Sequence, residues 1–176
     1  EEIRSIMSVK LFTDEQFLFF TTKKGTVKKT ALSQYENIRR NGIIAITLEP
    51  EDTLVNVLLT SGKDKLAILS SKGQSIVFEE SDVRASGRST VGVRGIKIPN
   101  DDIVVSSDIF EDSGEFFIIT ENGYSKKTAF SEFKLQKRGG SGARALKVSA
   151  KTGPIVSSVV ISPEESIFIL STNGTL

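Results

Sequence analysis

The chain has 176 residues, with 23 lysines and arginines against 22 aspartates and glutamates, and no cysteine, histidine or tryptophan. These absences exclude zinc fingers, iron–sulfur clusters, Ser-His-Asp triads and Cys-His dyads. No run of about 18 apolar residues and no signal peptide is present, so no membrane segment is predicted, and the lack of cysteine suits a reducing cytoplasm. As a total, the formal net charge of +1 argues against a nucleic-acid partner.

A motif of roughly 50 residues recurs along the chain. An apolar run, a turn with glycine and a short polar strand begin in turn at Phe17, Leu66, Phe116 and Ile167, with turn glycines at Gly25, Gly73, Gly123 and Gly174. A second set of glycines (Gly42, Gly92 and Gly142) precedes the strand-like segments 44–48, 96–98 and 146–148. A third set of strand-like segments begins at Ile3, Leu54, Ile103 and Ile155.

These patterns predict an all-β fold with little or no helix. The runs are rich in phenylalanine, isoleucine, leucine and valine, and Asn122-Gly123 and Asn173-Gly174 predict tight two-residue hairpins. Four consecutive apolar residues indicate strands covered on both faces, which favours a propeller-like array of four-stranded blades. The repeat units are predicted at about 3–53, 54–102, 103–154 and 155–176, the last incomplete. Because a closed ring needs more blades, we expect this chain to be part of a larger domain.

The charges separate when they are counted by position in the repeat. Windows 23–48, 72–98 and 121–148 hold 18 basic and 6 acidic residues, whereas the rest holds 5 basic and 16 acidic ones. A phase that is basic in every copy becomes a continuous basic band, and a curved band of cations suits duplex DNA. The candidate DNA contacts in this band are Lys28, Lys29, Arg39, Arg40, Arg84, Arg88, Arg94, Lys126 and Lys127. The simpler interpretation of any one of them is a solvated lysine that protects a strand edge.

The most specific local motif is a glycine-rich basic loop, whose candidate DNA contacts are Gln136, Lys137, Arg138, Gly139, Gly140, Gly142 and Arg144. Glycines permit positive φ and bring backbone N–H groups close to a phosphate, and the three cations add charge. The alternative is a flexible loop with solvated charges. The motif is not a P-loop, because it lacks the GK[ST] ending and a following helix.

With this loop, the chain resembles the C-terminal domain of the bacterial DNA gyrase A protein. The resemblance is carried by GTVKKT at 25–30, NGYSKKT at 122–128, VRASGRSTVGVRGI at 83–96 and QKRGGSG at 136–142, and it covers essentially the whole chain. It implies a β-pinwheel whose blades exchange strands and which wraps DNA around a basic perimeter. Residues 136–142 resemble the family's gyrase A box. Ser141 departs from that box, and the position after two degenerate copies implies a second box-like loop, with the principal box upstream of Glu1.

The resemblance implies a non-catalytic DNA-wrapping domain of an ATP-hydrolysing type II topoisomerase in which strand passage introduces negative supercoils. The implied partners are double-stranded DNA, the rest of the gyrase A protein and the gyrase B protein, in an A2B2 assembly. ATP and Mg²⁺ are implied for the whole enzyme and no cofactor for this segment, and the implied location is the bacterial cytoplasm at the nucleoid. Neither Tyr35 nor Tyr124 has the surroundings of a DNA-cleaving tyrosine, and Tyr35 is predicted to pack. The alternatives are the corresponding domain of topoisomerase IV and, further off, a protein-interaction propeller or a propeller enzyme.

Overall fold

The computed structural model describes residues 3–110, 114–162 and 164–170, and the predicted all-β fold is confirmed. Helix is confined, in these residues, to three single 3₁₀ turns at Leu32–Tyr35, Glu80–Asp82 and Phe130–Glu132. The strands are β1 Phe17–Thr22, β2 Thr26–Ala31, β3 Leu54–Thr60, β4 Lys65–Ser70, β5 Gln74–Glu79, β6 Val93–Arg94, β7 Val104–Phe110, β8 Glu115–Thr120, β9 Ser125–Ala129, β10 Ala143–Arg144 and β11 Ile155–Ile161.

The strands form three antiparallel sheets that share one arrangement. Their orders are β3-β1-β2-β6, β7-β4-β5-β10 and, within the described residues, β11-β8-β9. Strands β3, β7 and β11 begin each order and pack on one another from sheet to sheet, so they form the inner side of the array. The outermost strand of a sheet belongs to the next repeat, since β6 follows β5 in the chain but pairs with β2, and β10 follows β9 but pairs with β5.

The apolar runs are covered on both faces, as their lack of alternation predicts. Leu66 and Ile68 of β4 pack towards the first sheet with Phe19 and Val27, in one core cluster. The β4 residues that face the other way, Ala67 and Leu69, belong to a second cluster that continues into the third sheet. Each sheet junction is therefore a separate hydrophobic layer.

The hairpin turns differ from the predicted two-residue form. Three residues, 23–25, connect β1 to β2, and the Gly25 amide donates to the Thr22 carbonyl at 3.0 Å. Positive φ is confined to the last residue of this turn, at +85° in Gly25. The turn at 121–123 is the same, with Gly123 at +80°, so Asn122 does not adopt the positive φ that a type I′ turn needs. This is the three-residue hairpin that ends in a left-handed glycine.

Several predicted strands are absent or shorter. Residues 3–9, 44–48, 96–98, 146–148 and 167–170 have no regular secondary structure, and strands at 93–94 and 143–144 lie just before two of these segments. A strand needs a partner on at least one edge, and the strand pairings of the described residues include none of these five segments. The predicted turn at Asn173-Gly174 lies outside the described residues.

A partly buried carboxyl group, that of Asp108, lies where the inner strands β7 and β11 meet. The hydroxyl of Ser158 donates to Oδ2 of Asp108 at 3.3 Å and also contacts the Ser106 hydroxyl. Burial raises the pKa of Asp108 to about 6, although the Ser158 hydrogen bond opposes this. The folded protein therefore holds a proton at Asp108 between about pH 4 and pH 6 that the unfolded chain has lost.

Replacing Asp108 by asparagine should accordingly stabilise the fold at neutral pH but not in acid. The contribution of Asp108 to the stability of the wild-type protein falls as pH rises from about 4 to 6, since folding then keeps an ionised carboxylate out of water. Urea unfolding of both proteins should show a gain of about 2 kcal/mol for Asp108→Asn at pH 7 that disappears near pH 4. An equal difference at both pH values would contradict this assignment.

Candidate nucleic-acid interface

The outer rim is built by segments that cross from one repeat to the sheet of the preceding one. Residues 85–94 lie along β2, where Ser86 N donates to Lys29 O at 2.9 Å and Val93 pairs with Val27. Residues 135–144 repeat this path along β5, where Gln136 N donates to Val77 O at 2.8 Å. The two outer segments therefore occupy equivalent places, 50 residues apart in sequence.

A glycine allows each outer segment to approach its sheet closely. Gly92 has φ +113° and Gly142 has φ +68°. A Cβ atom would lie 2.5 Å from Val27 O at Gly92 and 2.1 Å from Ser75 O at Gly142. Both positions thus require glycine for conformation and for space. This contact explains two of the three glycines in the second periodic set, Gly92 and Gly142, whereas a Cβ atom at Gly42 would meet nothing within 4 Å.

Six exposed cations lie within or next to the two outer segments, at equivalent positions. They form three pairs with a 50-residue spacing, Arg84 with Lys134, Arg94 with Arg144 and Lys97 with Lys147, and we call them the perimeter cations. Their side chains make no hydrogen bond or ion pair to residues 3–110, 114–162 or 164–170. Positive charge is therefore presented to solvent without a protein partner on two adjacent sheets.

A cavity of about 530 Å³ gathers several of the predicted site residues beside the second outer segment. Lys126, Gln136 and Arg144 line it together with Lys134, and apolar atoms of Phe133 and neighbouring residues form part of its wall. Its charged lining carries one acidic group, that of Glu132. The cavity is therefore a mostly cationic concavity on the rim.

The box-like loop, residues 136–142, is fastened to protein rather than open to solvent along its backbone. Gly139 N donates to Gly95 O at 2.6 Å, and Gly140 O accepts from Lys97 N at 2.8 Å. The Arg138 guanidinium donates from Nε to Asp82 O at 2.8 Å and from Nη1 to Arg94 O at 3.1 Å. The Gly139 amide and part of the Arg138 guanidinium are thus occupied by the preceding repeat, 54–102.

Lys137 differs from its neighbour Arg138, because its side chain is 87% exposed. Its ammonium group pairs with Oδ1 of Asp82 at 2.8 Å, so Asp82 receives both cations of the loop. A pair this exposed stabilises by about 0–1 kcal/mol, and Lys137 can exchange Asp82 for another anion.

Lys28 and Lys29, two predicted DNA contacts, lie in the interior. Their exposed fractions are 1% and 6%. Lys28 Nζ donates to Ala45 O at 2.7 Å and to Arg88 O, while Lys29 Nζ lies 3.7 Å from Oε1 of Glu80. Burial, with a smaller contribution from the charge of Arg88, lowers the pKa of Lys28 to about 8. These contacts with protein oxygens do not fit a role in binding phosphate. The outer segment covers Lys28, whereas Lys29 is buried beside Glu80 between the first and second sheets.

The other predicted contacts divide by exposure. Arg39 and Arg40 are exposed in the loop 36–42, and Arg88 is half-buried. Lys126 and Lys127 are equivalent to Lys28 and Lys29, yet they are exposed, because no described segment covers the outer edge of β9. Lys127 Nζ lies 3.4 Å from a Glu115 carboxylate oxygen.

Sequence reasoning missed the buried acidic groups that organise this framework. Asp52 is 6% exposed, and its carboxylate accepts hydrogen bonds from the amides of Lys24 and Thr53. Asp102 is its equivalent, and its carboxylate accepts from the Ser70 and Ser71 hydroxyls. The 50-residue spacing of these two aspartates was the available signal.

A family model matches three successive segments of the chain, residues 16–61, 64–110 and 114–162. Its description is DNA gyrase C-terminal domain, beta-propeller. The chain belongs to this family. Each matched segment contains the first three strands of one sheet, which agrees with the propeller-like array predicted from the repeat and with the β-pinwheel that the resemblance implies.

Relatives and solved structures give the same assignment. The DNA gyrase A protein of Salmonella typhimurium is 39% identical over 176 residues, which are 100% of this chain and 20% of the relative. That of Ureaplasma parvum is 40% identical over 174 residues, 99% of this chain and 21% of the relative. Among solved structures, the C-terminal domain of DNA topoisomerase IV matches with a TM-score of 0.82, and the match covers 88% of this chain and 49% of that one. The DNA gyrase A C-terminal domain matches with a TM-score of 0.78, and the match covers 88% of this chain and 52% of that one. Both are 29% identical to this chain.

The extent of these matches defines what the chain represents. It spans about a fifth of the length of the curated relatives and about half of the two solved chains. In the part of the chain that the structure describes, no helix is long and apolar enough to cross a membrane.

Proposed function

We propose that this domain binds duplex DNA without catalysis and bends it around the rim of the sheet array. The observation that carries the proposal is the set of perimeter cations, which are exposed, lack protein partners among the described residues and recur at equivalent positions of two adjacent sheets. A duplex carries phosphates along its whole length, so cations that repeat from blade to blade can follow it. Lys137, Arg39 and Arg40 are proposed as additional phosphate contacts, as are Lys126 and the backbone around Gln136 beside the rim cavity.

In the whole enzyme, this domain would present a bent DNA segment to a separate cleavage region, so that strand passage introduces negative supercoils. Gyrase is favoured over topoisomerase IV because the gyrase A protein of Ureaplasma parvum is 40% identical over nearly the whole chain. The rest of the gyrase A protein and the gyrase B protein, in an A2B2 assembly, are the proposed protein partners. ATP and Mg²⁺ are proposed to act in other regions of that enzyme, in the bacterial cytoplasm at the nucleoid.

Bending of DNA tests the proposal directly. A duplex of about 40 base pairs, labelled at both ends, should show a higher end-to-end energy transfer when saturated with the protein than when free. Bending 20–30 base pairs by 40–90° costs on the order of 1–6 kcal/mol, which several phosphate contacts together can offset. Unchanged energy transfer at demonstrated saturation would reject bending, and binding that requires one particular sequence would reject recognition through the backbone.

A further inference from the structure

We propose that Arg138 and Lys28 are positioning residues, each of which ties one outer loop to the blade beneath it. The loop 86–92 crosses the first sheet, and the loop 136–142 crosses the second. Both loops make the same backbone hydrogen bond to the preceding repeat, since Thr47 N donates to Thr90 O at 3.2 Å and Lys97 N donates to Gly140 O at 2.8 Å. Residues 47 and 97, and 90 and 140, are 50 apart, so the repeat has kept this attachment.

The cation that fastens each loop belongs to a different part of the fold. At the first loop, Lys28 of β2 lies underneath and donates to Ala45 O and Arg88 O, which joins residues of two repeats. At the second loop, the residue equivalent to Lys28 is Ile76, which is fully buried and has no polar group. Here Arg138 of the loop reaches down and donates to Asp82 O and Arg94 O.

Only one cation at each loop makes the attaching hydrogen bonds. Arg88 is equivalent to Arg138, but its side chain makes no hydrogen bond to the described residues, and its charge lowers the pKa of the adjacent Lys28. Two cations in one attachment would repel each other in a partly desolvated site. Each outer loop is therefore attached by one cation. Lys28 attaches the first loop, and Arg138 attaches the second loop, where isoleucine replaces that lysine.

A consequence follows for DNA binding, and this part depends on the proposed function. Arg138 directs Nε and Nη1 at the carbonyl oxygens of Asp82 and Arg94, which holds its guanidinium against the protein, so it should not add a phosphate contact. Instead it holds the segment that carries Arg144 against the segment that carries Arg94. The relative position of Arg94 and Arg144, two of the perimeter cations, then depends on Arg138.

Amide hydrogen exchange of the full chain, without DNA, tests the positioning role. The amides of Gly139 and Lys97 make the two backbone hydrogen bonds that attach the second loop. Arg138→Gln should speed exchange at both amides by about tenfold, because two charge-assisted hydrogen bonds are lost. Arg144→Gln removes the same charge from an exposed side chain and should leave both amides unchanged. Arg138→Lys keeps the charge but reaches fewer carbonyls, so it should give an intermediate rate. Unchanged exchange in Arg138→Gln would overturn the proposal.

Salt dependence of duplex binding then separates this role from phosphate contact. Arg144→Gln should lower the slope of log affinity against log salt by about 1, whereas Arg138→Gln should leave the slope unchanged. A loss of about 1 in Arg138→Gln would make Arg138 a phosphate contact and overturn the proposal. If the affinity of the wild-type protein itself does not depend on salt, the proposed DNA function is wrong. The hydrogen-exchange result then still decides whether Arg138 is a positioning residue.

Discussion

Replacing Arg94, Lys97 and Arg144 together by glutamine should weaken duplex binding on the order of 10²-fold at about 100 mM salt. Each of these exposed side chains has no partner in the described protein, so its removal costs phosphate contacts and leaves the fold intact. Fluorescence anisotropy with a labelled duplex gives the affinity, and thermal unfolding should show the same melting temperature as the wild-type protein.

A matched control has the same change in charge at other places. Lys10, Lys63 and Lys151 are exposed and lie outside the three basic windows, so their replacement by glutamine also removes three positive charges. This control should lose less than about threefold in affinity, because distant surface charges are screened within about 10 Å at this salt concentration. Equal losses in both triple variants would mean that net charge, rather than the rim, determines binding.

The second large effect is expected at the ion pair between the first and second sheets. Lys29→Val should destabilise the protein by about 3–5 kcal/mol, because it leaves the carboxylate of Glu80 buried without its cation. Glu80 is 0% exposed, and its carboxylate also accepts from the Thr60 hydroxyl at 2.7 Å and from the Asp64 amide at 3.2 Å. Equilibrium urea unfolding measures the loss.

The second junction shows how the same place is built without charge. The positions of Lys29, Thr60, Asp64 and Glu80 are occupied there by Val77, Phe110, Gly114 and Phe130. The rings of Phe110 and Phe130 stack with centroids 3.7 Å apart, and a Cβ at Gly114 would lie 2.8 Å from the Phe130 ring. The four residues are thus a linked set, and the glycine makes room for the aromatic pair.

Exchange of the whole set should therefore recover most of what the single substitution loses. The variant with Lys29→Val, Thr60→Phe, Asp64→Gly and Glu80→Phe replaces a buried ion pair by apolar packing, which is often neutral or stabilising. If the four-residue variant were less stable than Lys29→Val alone, the two junctions would not be interchangeable and the proposed linkage would be wrong.

The fold was predictable from the sequence because the repeat encodes it several times. Apolar runs, turn glycines and the second set of glycines each recur at nearly constant spacing, so the blades could be recognised without knowledge of their contacts. Strand length was less predictable, since segments such as 44–48 have strand-like composition but no partner strand within the described residues. Pairing is a tertiary property, and composition alone does not supply it.

The candidate site was predictable in its location but not residue by residue. The charge count found the outer segments, yet it treated Lys28 and Arg94 alike. Arg94 is exposed, whereas Lys28 is covered by the loop of the next repeat, whose Arg88 carbonyl lies 60 residues further along the chain. A lysine can be buried when carbonyl oxygens surround its ammonium group, and such partners become visible only when the chain is folded.

The salt dependence of duplex affinity is the most direct test of the claim that the perimeter cations bind the DNA backbone. Affinity of the wild-type protein should fall steeply with salt, and the slope of log affinity against log salt should decrease by about 3 when Arg94, Lys97 and Arg144 are replaced by glutamine. The control variant at Lys10, Lys63 and Lys151 should keep the wild-type slope. An identical slope in all three proteins would contradict the account.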